Sequence, residues 1–420
     1  MTSINPISNL SQELIDMFID HLHDDEASLA SCSLVCKDWM DASRHHLFRR
    51  LTFVDNRADK TFPSLFHFLE QSPHVARHVR QLRLGSAPVR PRVFQEDHER
   101  GCSHLETSVF LAILSKVPNL STLTINNVTL GRRSPTETLD LPTARPQLQR
   151  LELVRVVLVA PDVFGVYRYD VLAPFSKVEE FYTDCVFIPD DMSPRDVPLA
   201  PDISLQTEVN SVEVHGSFLH LIQPAMALHN LTSLTVAAQY REQLRDFGVV
   251  AVGSARTLQR VIIDYRADPV REEGDGDPVE LQHWASLNLS QCKCLKDLTL
   301  RFELLGFPDP IAGPLPWTAA QQILSTTPPN LTSLTFDIIA GVNEGEDLTW
   351  AIETMDWNWM RQTLSRFRSL RYIVFTFKDE VQWSPYNWHL YPLGPMAEVG
   401  REIIKHELED WNTRGALKFV

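Results

Sequence analysis

The sequence has few cysteines and no long apolar run. Its six cysteines lack the paired spacing of a zinc site and are too sparse for a disulfide framework. No segment approaches the roughly 18 apolar residues that a membrane-spanning helix requires. The chain also has no positively charged start followed by an apolar segment, as in a secretory signal peptide. These absences predict a cytoplasmic or nuclear protein with no membrane partner.

Basic residues are outnumbered by acidic ones, 39 to 54, which gives a net charge of −15. Arg49-Arg50 and Arg132-Arg133 are isolated basic pairs, and the sequence has no longer basic cluster. Binding to a nucleic-acid backbone requires a clustered basic surface. The sequence therefore predicts no nucleic-acid partner.

The motifs of common catalytic sites are missing as well. There is no Gly-x-Ser-x-Gly elbow, His-Glu-x-x-His zinc motif, phosphate-binding glycine loop or dinucleotide fingerprint. His21, His23, His45 and His46 form two close pairs, but no third ligand is spaced to complete a metal site. We therefore predict no catalytic residue, no metal and no cofactor. A hydrolase with an unrecognised site is the least favoured alternative.

The first fifty residues contain three short helical patterns. The first helix has one apolar face, made of Leu10, Leu14, Ile15, Phe18, Ile19 and Leu22. Ser11 is its predicted N-cap. A second helix is expected over about residues 26–34, and a third starts near Cys36 and includes Leu47. Three helices of this length bury only a small core, so we expect a partner or the following domain to complete it.

The string Val35-Cys36-Lys37-Asp38-Trp39 after this first helix resembles the F-box, a helical module that docks a substrate receptor onto an SKP-family adaptor. Ser11 stands where the family usually has proline, and serine can cap the helix instead. The resemblance assigns adaptor contact to Leu10, Leu14, Ile15, Phe18, Leu22, Leu29, Val35, Cys36 and Trp39. The alternative is that these residues form only the core of a small helical cap. About half of them are expected to face inward.

From Phe48 onward, one short phrase recurs. An apolar residue is followed by a second three positions later and a third two positions after that, as in Leu120, Leu123 and Ile125. The eleven phrases begin at Phe48, Val79, Leu120, Leu148, Val178, Val209, Leu231, Leu258, Leu295, Leu331 and Leu370. Their starts are separated by 22 (209 to 231) to 41 (79 to 120) residues. The last two positions alternate with polar residues, which predicts a strand with one buried face.

Helical patterns lie between the phrases. They cover 108–116, 218–228, 241–250, 319–324 and 350–367. A repeating strand–helix unit predicts a solenoid with parallel strands and outer helices. The phrase resembles the leucine-rich repeat, Leu-x-x-Leu-x-Leu, although its spacing is irregular. The predicted fold class is therefore α/β, with an F-box over 5–48, an irregular leucine-rich-repeat-like solenoid over 49–378 and a C-terminal cap over 379–420.

Acidic insertions are candidate target-binding loops. The segment 264–280 carries seven acids against two arginines. Binding residues favour loops on rigid scaffolds, so one hypothesis is an acidic rim that selects a basic target. The alternative is a solvated loop with no binding role.

Together these patterns predict a substrate-recognition subunit of an SKP–cullin–F-box ubiquitin ligase. The F-box resemblance implies that the helical module binds an SKP-family adaptor and, through it, a cullin–RING ligase. The repeat region would bind a target protein whose identity the sequence does not specify. The alternative is a stand-alone repeat scaffold for protein–protein interaction without coupling to a ligase.

Overall fold

The chain has an α/β fold in which most strands are parallel. The computed structural model describes residues 10–56, 59–86, 102–131, 145–159, 171–184, 186, 206–215, 219–237, 241–265, 281–304, 315–340, 352–379 and 394–420. The predicted acidic rim lies outside these residues from position 266 onward. The chain divides into two compact units, Met1–Thr207 and Glu208–Val420, and each is described by itself.

The first unit begins with three helices and continues with alternating strands and helices. Its helices are α1 (Gln12–His21), α2 (Glu26–Cys32), α3 (Lys37–Leu47), α4 (Phe62–Gln71), α5 (Pro73–Ala76) and α6 (Thr107–Lys116). Its strands are β1 (Arg50–Asp55), β2 (Gln81–Ser86), β3 (Ser103–Glu106), β4 (Thr122–Asn126), β5 (Val128–Gly131), β6 (Gln147–Val154), β7 (Val157–Val159) and β8 (Lys177–Asp184).

Two parallel sheets form in this unit. The larger sheet has the order β1-β2-β4-β6-β8, and the smaller has the order β3-β5-β7. Asn127 separates β4 from β5 with a φ of 55°, and Arg155 separates β6 from β7 with a φ of 51°. Asparagine adopts this left-handed conformation more readily than arginine. At these positions the chain passes from the larger sheet into the smaller one, and Val156 also lies between β6 and β7.

The second unit continues the strand pattern. Its helices are α7 (Leu219–Ile222), α8 (Arg241–Gly253), α9 (Leu315–Thr326), α10 (Trp357–Ser365), α11 (Gly394–Glu407) and α12 (Glu409–Thr413). Four 3₁₀ turns span Gln223–Ala225, Leu228–Asn230, Leu281–Leu287 and Leu289–Gln291. Its strands are β9 (Thr207–Val214, which begins at the boundary residue), β10 (Met226–Ala227), β11 (Ser233–Ala237), β12 (Arg260–Asp264), β13 (Asp297–Leu304), β14 (Ser333–Ala340), β15 (Tyr372–Asp379) and β16 (Leu417–Phe419).

The strand predictions are confirmed. The second and third positions of every phrase lie on a strand, and neighbouring phrase strands within each unit pair in parallel. The phrases are also in register. In the first unit the second positions align as Leu51, Leu82, Leu123, Leu151 and Phe181. In the second unit they align as Val212, Leu234, Val261, Leu298, Leu334 and Ile373.

Burial of the apolar side chains fixes the register between neighbouring strands, because a slip of one residue would turn each of these side chains to the opposite face of the sheet. Leu82 and Leu84 on β2 and Leu298 and Leu300 on β13 are almost wholly inaccessible to solvent. Burying a side chain of this size stabilises the fold by about 1.5 to 3 kcal/mol. The apolar phrases therefore form the continuous core of each sheet.

One predicted helix is interrupted. The pattern over 218–228 predicts a single helix, but the structure has the short α7, the turn Gln223–Ala225 and the strand β10. Pro224 lies in that turn. Proline has no N–H and clashes with the preceding turn of a helix, so it ends the helical path here. The helical patterns at 108–116 and 241–250 correspond to α6 and α8.

Aromatic rings form a chain of contacts in the second unit. The chain runs in the order Trp284, Tyr265, Phe302, Trp317, Phe336, Phe375 and Phe419, with successive centroids 4.8 to 6.1 Å apart. Phe336, Phe375 and Phe419 occupy one register position on three adjacent strands and stack on each other. Such pairs add about 0.5 to 1.5 kcal/mol beyond their buried area. The short strand β16 is thereby fixed to β15 by both side chains and backbone.

A charged ladder crosses the opposite side of the same strands. Arg301 donates from Nε to Asp337 at 2.8 Å and from Nη1 to Asp264 at 3.4 Å. The three residues are register partners on β12, β13 and β14. Thr376 on β15 donates its hydroxyl to Asp337 at 2.6 Å. Both carboxylates are buried, whereas the Arg301 side chain is 24% exposed.

Replacing Arg301 with methionine is expected to lower the free energy of unfolding by about 2 to 3 kcal/mol, because two buried carboxylates lose their shared cation. The measurement is urea-induced unfolding. Arg260→Met is the control, since Arg260 is an exposed residue of β12. Equal losses for the two variants would show that the ladder does not stabilise the unit.

The C-terminal segment contains α11, α12 and β16. Residues 380–393 of the predicted cap lie outside the described part of the chain. Ile404 of α11 and Leu408 are buried, while β16 pairs in parallel with β15.

Among the described helices, none has both the length and the apolar composition needed to cross a bilayer.

Candidate protein-docking surface on the N-terminal helices

The first helix has two apolar sides that face in different directions. Ile15 and Ile19, four residues apart, are buried and pack with Leu29 of α2. The second side is exposed to solvent and consists of Leu10, Leu14, Met17 and Phe18. Of these four residues, Leu14, Met17 and Phe18 follow the i, i+3, i+4 spacing of one helical face, and Leu10 lies just before the Ser11 N-cap. We call them the α1 stripe.

The buried side holds the three helices together. Leu22, Cys32, Trp39, Ala42 and Leu47 are half-buried around the buried trio. Asp20 of α1 and His46 of α3 also contact through Oδ1 and Nε2 at 2.8 Å. Asp25 caps α2 by accepting hydrogen bonds from the Ser28 amide at 3.0 Å and the Ser28 hydroxyl at 2.6 Å. These bonds lower the pKa of the exposed Asp25 carboxyl.

The start of α1 differs from the expected side-chain cap. Ser11 occupies the N-cap position, with φ −69° and ψ 152°, but its side chain does not cap the helix backbone. Its carbonyl instead accepts the first helical hydrogen bonds, from Leu14 and Ile15 at 3.1 and 3.2 Å. The Glu13 carboxylate accepts hydrogen bonds from the Glu13 amide and from the Ser11 hydroxyl, and both bonds lower its pKa. Ser11 therefore begins the helix through its backbone carbonyl, without the predicted side-chain cap bond.

Replacing Ser11 with proline is expected to raise the free energy of unfolding by about 0.4 to 1 kcal/mol, because the native φ already suits proline and the unfolded chain loses freedom. Ser33→Pro is the matched control. Ser33 has a similar φ of −62°, but its N–H donates to the Leu29 carbonyl at 2.9 Å. Thermal unfolding should therefore shift upward for Ser11→Pro and downward for Ser33→Pro. A downward shift for both would contradict this account of the helix start.

Exposed apolar side chains are concentrated in this module. Of the 13 large apolar residues exposed in the described part of the chain, six lie between residues 10 and 35. Four form the α1 stripe. The other two, Leu34 and Val35, occupy the turn between α2 and α3 and are 87% and 52% exposed. Exposed apolar residues are common singly, but such a concentration indicates an interaction surface.

The predicted adaptor-binding residues divide into three groups by burial. Leu10, Leu14, Phe18, Val35 and Cys36 are exposed. Leu22 and Trp39 are half-buried against the module core. Ile15 and Leu29 are 4% and 1% exposed, so their side chains pack inside the module and are not on its surface. Ile15 and Leu29 therefore support the exposed residues from beneath, in line with the expectation that about half of the named residues face inward.

Two exposed residues were missing from the predicted set. Met17 lies seven residues after Leu10, a helical spacing that could have included it. Leu34 was predicted to belong to the second helix, but α2 ends at Cys32 and leaves Leu34 in the turn. The end of a short helix determines which side chains its last turn exposes, and sequence patterns locate such ends poorly.

The module joins the first strand directly. α3 ends at Leu47 and β1 begins at Arg50. The Arg49 carbonyl between them accepts hydrogen bonds from the amides of Arg80 and Gln81, both at 2.9 Å. The connection is therefore part of the hydrogen-bonded start of the sheet.

The described residues contain no group of three or more histidine, cysteine, aspartate or glutamate side chains that could hold a metal ion. No protein-family model matches the sequence, and no curated protein matches it significantly.

Proposed function

We propose that the chain is the substrate-recognition subunit of an SKP–cullin–F-box ubiquitin ligase. In this proposal the α1 stripe and the turn residues Leu34 and Val35 bind an SKP-family adaptor. The concentration of exposed apolar side chains over so small a buried core carries the proposal. The likeness of the Val35–Trp39 string to the F-box motif supports it independently.

The remaining strands would form the receptor for a target protein. We propose that they belong to an irregular leucine-rich-repeat-like solenoid, which is supported by the parallel register of successive phrases. Such repeats expose one polar side of the sheet along their length. Part of that side is already internally paired, because Arg150 contacts Glu152 at 2.5 Å and Glu180 at 3.2 Å.

The proposed mechanism is proximity. A receptor that holds the adaptor and the target together raises the local concentration of the target near the ubiquitin-loaded enzyme. No catalytic group of this chain is required for that role. Apolar side chains on α1 would form the centre of the adaptor interface, where truncations have their largest effect on binding.

A pull-down with a purified SKP-family adaptor tests the proposal. The full chain is expected to bind with micromolar or tighter affinity and to bury about 1,200 to 2,000 Å² of total surface. No binding at micromolar concentrations would overturn the ligase assignment. That result would favour the alternative of a stand-alone repeat scaffold, for which the serine at position 11 is the supporting sequence departure.

A further inference from the structure

A basic surface forms where the N-terminal helices meet the first two strands. We define the junction patch as Arg44, His45, Arg49, Arg77, His78 and Arg80. Arg44 and His45 lie in the last turn of α3, and Arg77 is the C-cap of α5. Arg49 and Arg80 directly precede β1 and β2. The sequence places these residues in two segments, 44–49 and 77–80, that lie 28 positions apart (49 to 77), so they do not form one basic cluster along the chain.

Backbone and ring contacts bring the two segments together. The Arg49 carbonyl accepts a hydrogen bond from the Arg80 amide at 2.9 Å, so the two arginines lie side by side just before neighbouring strands. The rings of His45 and His78 meet edge-on with centroids 5.8 Å apart. Arg77 Nε lies 3.3 Å from Nε2 of His78.

Positive charges lie on both sides of the contact between His45 and His78. Burial is the main cause that lowers the pKa of His45, and the charges of His46, Arg49 and Arg80 lower it further, against a smaller opposite effect of Asp20. Burial also lowers the pKa of His78, as do Arg77, His45 and Arg44, against Asp41. The positive charges therefore act on one another through space.

The four arginines of the junction patch have no carboxylate partner in the described part of the chain. Among the described residues, none of Arg44, Arg49, Arg77 and Arg80 forms an ion pair with aspartate or glutamate. Arg80 donates one bond, from Nη1 to the Asn119 carbonyl at 3.2 Å. Arg49, Arg77 and Arg80 are exposed. Their guanidinium groups thus retain donors for an external oxyanion.

Helix electrostatics explain only part of this arrangement. Cations near a helix C-terminus interact favourably with its dipole, which accounts for Arg44 in α3 and Arg77 in α5. Arg49 and Arg80 precede strands, where no such dipole is present. Their adjacent placement therefore calls for another explanation.

We propose that the junction patch binds an acidic peptide segment of a partner protein, with a phosphate or a run of carboxylates as the recognised group. A short peptide fits better than a nucleic acid, because the chain carries a net charge of −15 that repels a long polyanion. Planar guanidinium groups bind phosphate and carboxylate oxygens through paired hydrogen bonds. The proposal does not depend on adaptor binding, since none of its residues belongs to the α1 stripe.

The test uses the full chain and a short fluorescein-labelled peptide of aspartate and glutamate that carries one phosphoserine. Fluorescence anisotropy is measured at about 0.1 M salt, where the Debye length is about 10 Å. Arg49→Ala with Arg80→Ala is expected to weaken binding at least about tenfold. Arg49→Lys with Arg80→Lys keeps the charge but loses the paired geometry, so an intermediate loss is expected.

The matched control is Arg368→Ala with Arg371→Ala. Both arginines are exposed, and Arg371 precedes β15 as Arg49 precedes β1. This pair should bind the peptide like the unchanged protein. No peptide binding, equal losses for the two alanine pairs, or tighter binding of a single-stranded DNA of equal charge would each overturn the proposal.

Two further measurements separate this site from the adaptor surface. Loss of the Arg49 and Arg80 side chains should leave adaptor pull-down and the melting temperature unchanged, because both side chains are exposed. If the alanine pair melts at a lower temperature, the peptide affinity of the lysine pair is compared with that of the unchanged protein instead. An unchanged peptide affinity in the lysine pair would then count against paired oxyanion recognition.

Discussion

Replacing Leu14 and Phe18 together with aspartate is expected to abolish adaptor binding, with a loss of affinity of at least about 100-fold, or about 2.7 kcal/mol. The two side chains are 45% and 55% exposed and lie one helical turn apart on α1. An aspartate at the centre of an apolar interface must lose its hydration without gaining a partner. Adaptor binding is measured by pull-down and by titration calorimetry.

The fold of the module should survive this double change. Ile15, Ile19 and Leu29, which form the buried trio, are not altered. Val249→Asp with Val252→Asp is the matched control, since these valines are 48% and 49% exposed on α8. Both double variants should melt near the unchanged protein, and only the first should lose the adaptor. Retained binding by the first variant would refute the assignment of the α1 stripe.

Replacing Phe375 with alanine is expected to lower the free energy of unfolding by about 3 to 5 kcal/mol. The ring is wholly buried between Phe336, with its centroid at 4.9 Å, and Phe419 at 6.1 Å. Its removal leaves a cavity and ends the aromatic stacking that joins β14, β15 and β16. The loss is measured by urea-induced unfolding followed by circular dichroism.

Tyr372→Ala on the same strand is the control for this change. Tyr372 is 43% exposed and contacts Lys418, whose Nζ lies 3.7 Å from the ring centroid. An exposed cation–π contact contributes about 0.5 to 1 kcal/mol, so the control should cost no more than that. Similar losses for the two variants would show that the Phe375 stack adds nothing to stability beyond an ordinary strand position.

The sheets could be predicted from the sequence because their signal is local. In Leu120, Leu123 and Ile125, or Leu331, Leu334 and Phe336, the alternation within one phrase marks the buried side of a strand. Repetition of the phrase then predicts its alignment with the next one. The structure has this alignment, as in Leu298 beside Leu334.

The candidate sites depend on information that the sequence pattern does not contain. A helical apolar face on α1 predicts burial but does not separate Ile15, which faces the core, from Leu14, which faces solvent. The Arg301 ladder and the pair Arg49 and Arg80 join residues that are distant in the chain. Their proximity arises from strand pairing, which brings charges of different phrases side by side.

Pairing between successive phrases has a consequence for the loops that separate them. The phrases of β9 and β11 start 22 residues apart and those of β2 and β4 start 41 apart, yet both pairs keep the same register. Loop-closure entropy grows with the logarithm of length, so a near doubling costs only about 0.6 kcal/mol. Such a small cost lets individual loops lengthen, and acquire binding residues, while the pairing of every other strand stays unchanged.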